Sequence, residues 1–129
     1  MKILDTDILV GILRGKKDAE GVLDYLNAED IAITSITAFE LYFGAFKSER
    51  ASENIKEVDS LLSSYPVLHF DKNASKEAGK VYSALEKSGK RIGIRDVMIA
   101  AICLVNDAGL ITRNVKHYSR IEGLGIEKW

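Results

Sequence analysis

The sequence predicts an α/β protein in which a parallel sheet carries helices on both faces. Short apolar runs of strand length alternate along the chain with longer segments of helical periodicity, as in strand–helix–strand units. The first run, Ile3-Leu4, leads directly into Asp5, which places a carboxylate at the end of the predicted first and central strand. Ligands bind outside the carboxyl ends of the strands in such sheets. The sequence therefore predicts a functional site at that edge.

The predicted strands are short and aliphatic or β-branched, and polar or turn-forming residues bound them. After the run at Ile3 they cover residues 31–33, 66–70 and 110–112, and residues 125–128 would make a short fifth strand. The only proline, Pro66, stands at the first position of its strand, where it removes no ladder hydrogen bond. The sheet should therefore contain four to five strands.

Helical periodicity fills the segments between these strands. We predict helices over residues 8–13, 19–26, 36–46, 51–64, 71–88 and 97–108. The last of them is the most apolar, which favours a position buried between layers. Asp96 opens this helix, and Gly109 would end it in the usual C-terminal manner. Residues 89–95 are predicted to form a loop, and residues 113–114 a turn.

The composition is that of one ordinary globular domain. The chain has 129 residues, of which 47% are hydrophobic and 29% charged, so we predict a single domain over residues 1–129. No apolar stretch approaches the ~18 residues of a membrane span, and the start runs into a strand without a secretory signal. The single cysteine, Cys103, lies in an apolar run, so we expect a buried, reduced thiol and a cytoplasmic protein. A net charge of −1 gives the whole chain no electrostatic attraction for nucleic acid.

Polar side chains fall at comparable places after the predicted strands. Asp5 ends the first strand, Glu40 lies on the helix after the second, Asp96 begins the buried helix, and Asn114 follows the fourth strand. Carboxylates at one edge repel each other: two of them ~4 Å apart cost about 4 kcal/mol at an effective dielectric of 20. Such a cluster persists if a divalent cation or protons neutralise it. Mg²⁺ suits the first case, because it takes oxygen ligands and commonly acts on phosphates.

Each of these residues also has a purely structural interpretation. Asp96 is a natural N-cap for its helix, the spacing of Thr37 and Glu40 matches a capping box, and Asn114 suits a turn. Asp7 is interpreted as the N-cap of the first helix, which leaves Asp5 without a structural reason. Taken singly, each structural interpretation is at least as good as the functional one. Together they do not explain why acids recur at strand ends.

Four segments resemble the motifs of PIN domains, and most closely those of the VapC-type toxin ribonucleases of prokaryotic toxin–antitoxin pairs. They occur in the family's order and spacing and cover essentially the whole chain: Leu4-Asp5-Thr6-Asp7-Ile8-Leu9, Thr37-Ala38-Phe39-Glu40-Leu41-Tyr42-Phe43-Gly44, Ile94-Arg95-Asp96-Val97-Met98-Ile99-Ala100-Ala101 and Leu110-Ile111-Thr112-Arg113-Asn114. The resemblance implies a three-layer α/β/α fold with a sheet order near 3-2-1-4-5. It also implies an endoribonuclease that depends on Mg²⁺ or Mn²⁺.

The resemblance assigns the catalytic acids. Asp5, Glu40 and Asp96 fall on the family's three core acids. We expect Asp5 and Asp96 to hold the metal directly or through water. Glu40 would be a further ligand or would orient the attacking water.

Other positions of the resemblance are polar without being acidic. Thr6 and Thr112 fall on polar positions that support the site. Asn114 stands where many members have a fourth acid, and His117 replaces an acid often found just before the aromatic residue. These departures count against a second tightly held metal ion.

Substrate and partner predictions complete the interpretation. Arg95, Arg113 and Lys116 lie near the site in sequence and are candidates for RNA-phosphate contacts. The family usually has a cognate antitoxin, which we expect to inhibit by placing an Arg or Lys near the acids, because guanidinium pairs well with carboxylate. The family also implies a homodimer, with Tyr42 and Phe46 as exposed interface aromatics.

Two rival functions remain open from the sequence. Asp5-Thr6-Asp7 matches the nucleophile motif of haloacid-dehalogenase-like phosphatases, although that family wants Thr or Val where Leu9 stands. A catalytically inactive PIN-like module that binds RNA or protein is the second rival. The complete set of acids argues against it.

Overall fold

A computed structural model describes residues 1–129 and contains one five-stranded parallel sheet. The strands are Lys2–Leu4 (β1), Ile31–Thr34 (β2), Val67–Leu68 (β3), Gly109–Thr112 (β4) and Ile126–Lys128 (β5). Their order is β3-β2-β1-β4-β5, and every neighbouring pair is parallel. The predicted fold class and the strand order implied by the resemblance are confirmed. The central strand is β1, which delivers Asp5.

Helices cover both faces of this sheet. They are Thr6–Leu13 (α1), Lys17–Asp24 (α2), Ser35–Phe46 (α3), Ala51–Ser63 (α4), Lys72–Lys87 (α5), Ile94–Val105 (α6) and Val115–Tyr118 (α7), with a 3₁₀ turn at Ala28–Asp30. The first four pack on one face, and the last three pack on the other. No helix is long and apolar enough to cross a membrane.

The alternation of side chains along each strand divides the interior into two cores. Ile3 and Leu110 point to the face covered by α5 and α6, whereas Leu4 and Ile111 point to the face covered by α1 to α4. This is the period of two that a pleated strand imposes. Cys103 lies in the first core as a free, buried thiol, as predicted.

The ends of α6 differ from the prediction. Gly93 is its N-cap, so the helix begins at Ile94, inside the predicted loop. It ends at Val105, and Gly109 belongs to β4. The amide of Ala108 donates to the carbonyl of Cys103 at 2.9 Å across a left-handed Asp107 (φ 50°), a Schellman-type ending in which Asp takes the position usually held by Gly. Asp tolerates this conformation better than most residues do.

Two further elements were predicted wrongly. Strand β3 is only Val67–Leu68, shorter than the predicted 66–70, because its partner strand β2 ends at Thr34, opposite Leu68, and the amide of Phe70 donates instead to the hydroxyl of Ser35. The helix α7 was not predicted, since its four residues are too few to show a period.

Candidate active site

The carboxyl ends of β2, β1 and β4 meet at one edge of the sheet. Leu4 lies opposite Ile111 in the β1–β4 pair, and the amide of Asp5 donates to the Ile111 carbonyl at 3.0 Å. The ladder therefore continues one residue beyond β1 and sets Asp5 against Thr112. The hydroxyl of Thr112 donates to Oδ2 of Asp5 at 2.6 Å. Thr34, the last residue of β2, ends the strand on the other side.

Asp5 is a buried carboxylate that also begins a helix. Only 6% of its surface is exposed, and its Oδ1 accepts from the amide of Thr6 at 2.9 Å, which makes it the N-cap of α1. The interpretation of Asp7 as this cap is wrong, because Asp7 lies inside the first turn. Burial raises the pKa of Asp5 from 3.8 to about 7. The neighbouring Asp7 and Asp96 add to this, and the hydrogen bond from Thr112 opposes it.

Asp96 faces Asp5 across a buried tyrosine. It lies in the first turn of α6 and makes no cap hydrogen bond, because Gly93 is the N-cap, so its interpretation as an N-cap is wrong. The hydroxyl of Tyr118 lies 3.2 Å from Oδ1 of Asp96 and 3.5 Å from Oδ1 of Asp5. One phenol thus bridges the two carboxylates and can donate to one of them at a time. Burial raises the pKa of Asp96, whereas the hydrogen bond from Tyr118 and the charge of His117 lower it.

Glu40 is held near Asp5 by threonine hydroxyls. Its Oε1 accepts a hydrogen bond from the hydroxyl of Thr6 at 2.9 Å. Oγ1 of Thr6 in turn lies 3.1 Å from Oγ1 of the buried Thr37. Thr34 caps α3 by accepting from the amide of Thr37, so the alternative capping box does not form. Glu40 also lies 3.8 Å from Arg95. The half-buried glutamate therefore has the partners that its position requires.

Asn114 lies beside the two aspartates. Its Nδ2 donates to Oδ2 of Asp96 at 3.4 Å, and its amide donates to Oγ1 of Thr112 at 3.0 Å. It precedes α7 without making a side-chain cap. The side-chain oxygen of Asn114 is therefore available to a ligand.

The donor set at this edge fits a hard divalent cation. No three His, Cys, Asp or Glu side chains converge closely enough to form a complete metal cage. Asp5 and Asp96 nevertheless supply two carboxylates. They repel each other electrostatically, and both contact the hydroxyl of Tyr118. Mg²⁺ is commonly bound by one or two carboxylates, with waters and substrate phosphates as the remaining ligands. The aspartate pair matches this requirement.

The three cations predicted for phosphate contacts lie in different settings. Arg95 faces Glu40, and Lys116 is exposed without a salt bridge. Arg113 stacks on the indole of Trp129, 3.7 Å from the ring centre, and pairs with Asp18. The guanidinium of Arg113 is therefore already partnered. Lys116 is the freest of the three.

The sequence analysis assigned no role in the site to four residues that lie near it: Asp7, Thr37, Tyr118 and Trp129. Tyr118 bridges the aspartates, and Thr37 supports Thr6. Asp7 accepts from the amide of Arg113 at 2.9 Å and from the indole of Trp129 at 3.1 Å. The available signal was chemical: a tyrosine or tryptophan in an apolar setting needs a partner for its polar tip. The identity of that partner depends on tertiary contacts.

The aromatic residues of α3 correct one prediction about the surface. Phe46 is exposed, as predicted, and so are Phe39 and Phe43. Tyr42 is not: it packs partly against the core, and its hydroxyl donates to the carboxylate of Asp59 on α4. Helical rotation puts Tyr42 on the inner side of the exposed stripe.

Paired acids outside the carboxyl end of the central strand, on a sheet of order 3-2-1-4-5, define an α/β protein with an acidic catalytic-type site. The chain belongs to the PIN-domain family, whose family model matches residues 2–124. This membership decides against the dehalogenase-like alternative.

Within that family the chain is similar to VapC ribonucleases. It is 29% identical over 127 residues to the tRNA(fMet)-specific endonuclease VapC of Shigella flexneri, covering 98% of this chain and 96% of the relative. It is 31% identical over 128 residues to ribonuclease VapC2 of Haemophilus influenzae, with the same coverage. The resemblance found in the sequence is confirmed.

Solved structures give the same result. The structure of VapBC2 from Rickettsia felis bound to a promoter DNA fragment matches with a TM-score of 0.91 and 31% identity, over 99% of this chain and 98% of that chain. DNA-bound VapBC from Salmonella typhimurium matches with a TM-score of 0.92 and 30% identity, over 99% and 97%.

Proposed function

We propose that the protein is a divalent-metal-dependent endoribonuclease and the toxin of a type II toxin–antitoxin pair. The observation that carries this proposal is the pair formed by the buried Asp5 and the partly buried Asp96, joined through Tyr118 at the carboxyl edge of the sheet. Burying two carboxylates together is costly unless a cation is bound. The names of the VapC relatives supply the substrate class, which the geometry alone does not.

The residues divide the proposed reaction between them. Asp5 and Asp96 would hold Mg²⁺ or Mn²⁺. A bound cation of this kind lowers the pKa of a coordinated water and neutralises charge on the scissile phosphate. Glu40, oriented by the hydroxyl of Thr6, would accept a hydrogen bond from the attacking water. The oxygen of water would bond to phosphorus and release a proton, the bond from phosphorus to the leaving ribose oxygen would break, and that oxygen would take up a proton from solvent.

Cleavage assays test this proposal against the inactive-module alternative. The purified protein is incubated with a mixed-sequence RNA and with a phosphate monoester, each in Mg²⁺, in Mn²⁺ and in chelator. We expect internal cleavage of RNA in either metal, none in chelator, and no release of phosphate from the monoester. A folded protein that binds RNA and leaves it intact in both metals would refute the proposal.

Asn114 provides a test of how many metal ions the site holds. With a neutral amide there, the aspartates and Glu40 give three formal negative charges, so one cation neutralises most of them. Asn114→Asp sets a fourth carboxylate against Asp96, in place of the present hydrogen bond. At ~4 Å this repulsion is worth roughly 1 to 4 kcal/mol between bulk water and an effective dielectric of 20. We expect lower stability in chelator and a steeper gain with added Mn²⁺.

Two measurements check the Asn114→Asp prediction. Thermal unfolding in chelator and across a Mn²⁺ titration gives the stability difference, since binding to the folded state alone adds RT ln(1 + [L]/Kd), about 2.7 kcal/mol at a hundred times Kd. Calorimetric titration gives the stoichiometry. Equal stoichiometry and affinity in both proteins would remove Asn114 from the site.

The proposed antitoxin has a candidate binding groove on this protein. A groove of about 270 Å³ runs between α1, α3 and α4, with Leu13 and Leu41 among its apolar lining and Glu40 at one side. A helix or extended segment with apolar anchors fits such a groove and would bring an Arg or Lys to Glu40. The structural relatives determined as VapBC support a partner of this kind.

The proposed homodimer is tested by light scattering. We expect twice the 14.3 kDa chain mass at micromolar concentration. Phe46→Ser should shift the mass towards the monomer, because Phe46 is 66% exposed on the aromatic face of α3. Tyr25→Ser is the matched control, since Tyr25 is 65% exposed on another helix end. A monomeric parent protein would contradict the dimer.

A further inference from the structure

A depression lined only by polar and cationic residues lies on the surface formed by the loop after α5 and the helix α7. Its volume is about 650 Å³, and none of its six lining residues is hydrophobic or acidic: Gly89, Lys90, Arg91, Lys116, Ser119 and Arg120. Four cations thus lie together on a chain whose net charge is −1. The basic depression, as we call it, combines two segments that are distant in the sequence.

Specific contacts fix the two walls of the basic depression. The guanidinium of Arg120 donates to the carbonyl of Arg91 at 2.8 Å, which ties the end of α7 to the loop. The amide of Lys90 donates to the carbonyl of Leu85 at 3.0 Å, and Gly89 makes the preceding turn with φ 70°. The juxtaposition of the cations is therefore part of the fold.

Most of this positive charge is not neutralised within the protein. Lys90 and Lys116 take part in no salt bridge. Arg91 lies 3.8 Å from Glu86, and its side chain is 73% exposed. Four like charges around one depression favour an anionic ligand, and their spread over its volume suits several phosphates better than one. The absence of an apolar or aromatic wall leaves no surface for base stacking.

Both walls of the basic depression lead to the aspartate pair. Lys116 is two residues from Asn114, so their Cα atoms are at most ~7 Å apart, and Asn114 donates to Asp96. The loop wall runs into Gly93, the N-cap of the helix that carries Asp96. The depression is therefore built from the two segments that lead in sequence to Asn114 and to Asp96.

We propose that the basic depression binds the sugar-phosphate backbone of the RNA strand next to the bond that is cleaved. This inference rests on the proposed function and adds a substrate-binding surface to it. Phosphate contacts position a nucleic acid without reading its bases. The depression would thus hold the strand in register with the acids and contribute equally for different RNA sequences.

Charge removal at the two free lysines tests this inference. Binding of a fluorescent, single-stranded, mixed-sequence oligoribonucleotide is measured in chelator, where metal-dependent cleavage does not run, over a series of salt concentrations. The test variant is Lys90→Gln with Lys116→Gln. The matched control is Lys56→Gln with Lys76→Gln, which removes the same charge from exposed positions on α4 and α5.

We expect the test variant to lower the slope of log Kd against log salt by about 1.4, at ~0.7 per lost phosphate contact with a single strand. In Mg²⁺ it should raise KM with little change in kcat, as loss of uniform substrate binding does. The control should match the parent protein. Lys90→Arg with Lys116→Arg should restore the slope, because charge and not shape is required.

Each remaining outcome identifies a separate failure. An unchanged slope in the test variant, or an equal fall in the control, overturns the basic depression as an RNA site. If the test variant loses binding to an acidic protein partner while its RNA binding is unchanged, the basic depression is a protein-binding site, and its assignment to RNA is likewise overturned. A parent protein that does not cleave RNA in either metal overturns the proposed function, whereas cleavage with an unchanged slope overturns only the depression.

Discussion

Asp96→Asn is expected to abolish metal-dependent RNA cleavage while the protein stays folded. The carboxylate makes no helix cap, because Gly93 holds that position. The amide oxygen of the variant can still accept from Tyr118, so the local structure has no reason to open. One charge near Asp5 is removed, which relieves repulsion. We therefore expect stability in chelator to be unchanged or raised.

The expected loss of activity is large. Removing an outer partner of a metal ligand typically costs ~10–100-fold, and removing a proposed ligand should cost at least ~100-fold. Cleavage of RNA in Mg²⁺ and Mn²⁺ and unfolding in chelator are measured side by side. Asp107→Asn is the control: it removes one carboxylate at an exposed position away from the site, and Asn tolerates the positive φ found there. Full activity in a folded Asp96→Asn protein would exclude Asp96 from the mechanism.

The carboxyl ends of β1, β2 and β4 could be predicted from the sequence to within one residue because the relevant signals are local. Ile3-Leu4 followed by Asp5 marks the end of a buried strand, and the predicted strand 31–33 stops one residue before Thr34, which ends β2 and caps α3. Parallel pairing then sets the ends of neighbouring strands at one edge, whatever the details of the loops. The sheet order needed the family resemblance, since periodicity does not state which strands are neighbours.

The contacts within the site could not be predicted in this way. Asp5 and Asp7 are both good N-caps, and a shift of two residues in the helix start decides which one faces the sheet edge. Tyr118 reaches the aspartates only because α7 folds back over the end of β4. Arg113 turns towards Trp129 at the far end of the chain. These contacts join residues from 16 positions apart (Arg113 and Trp129) to 113 positions apart (Asp5 and Tyr118), and no short pattern records them.

Stability in chelator is expected to rise as the pH falls from 8 to 5, with Asp5 as the main cause. Burial raises the pKa of Asp5 from 3.8 to about 7 in the folded protein. Between these values the folded state binds a proton that the unfolded state has lost, so stability decreases as pH rises. Well above pH 7 the full difference applies, about 4 kcal/mol at 1.36 kcal/mol per pKa unit. Below pH 3.8 this cost is absent.

Asp5→Asn should remove most of this pH dependence and raise stability at pH 8. Asn remains a good N-cap for α1 and can accept one of the two hydrogen bonds that Asp5 now accepts from Thr6 and Thr112. The gain should therefore be smaller than the full ~4 kcal/mol. Burial also raises the pKa of Asp96, so a weaker slope of the same sign should remain. Chemical denaturation in chelator at several pH values gives the slopes for the parent protein, Asp5→Asn and Asp107→Asn. Equal slopes of stability against pH in all three proteins would show that Asp5 does not carry a buried charge. The argument that this site requires a cation would then fail.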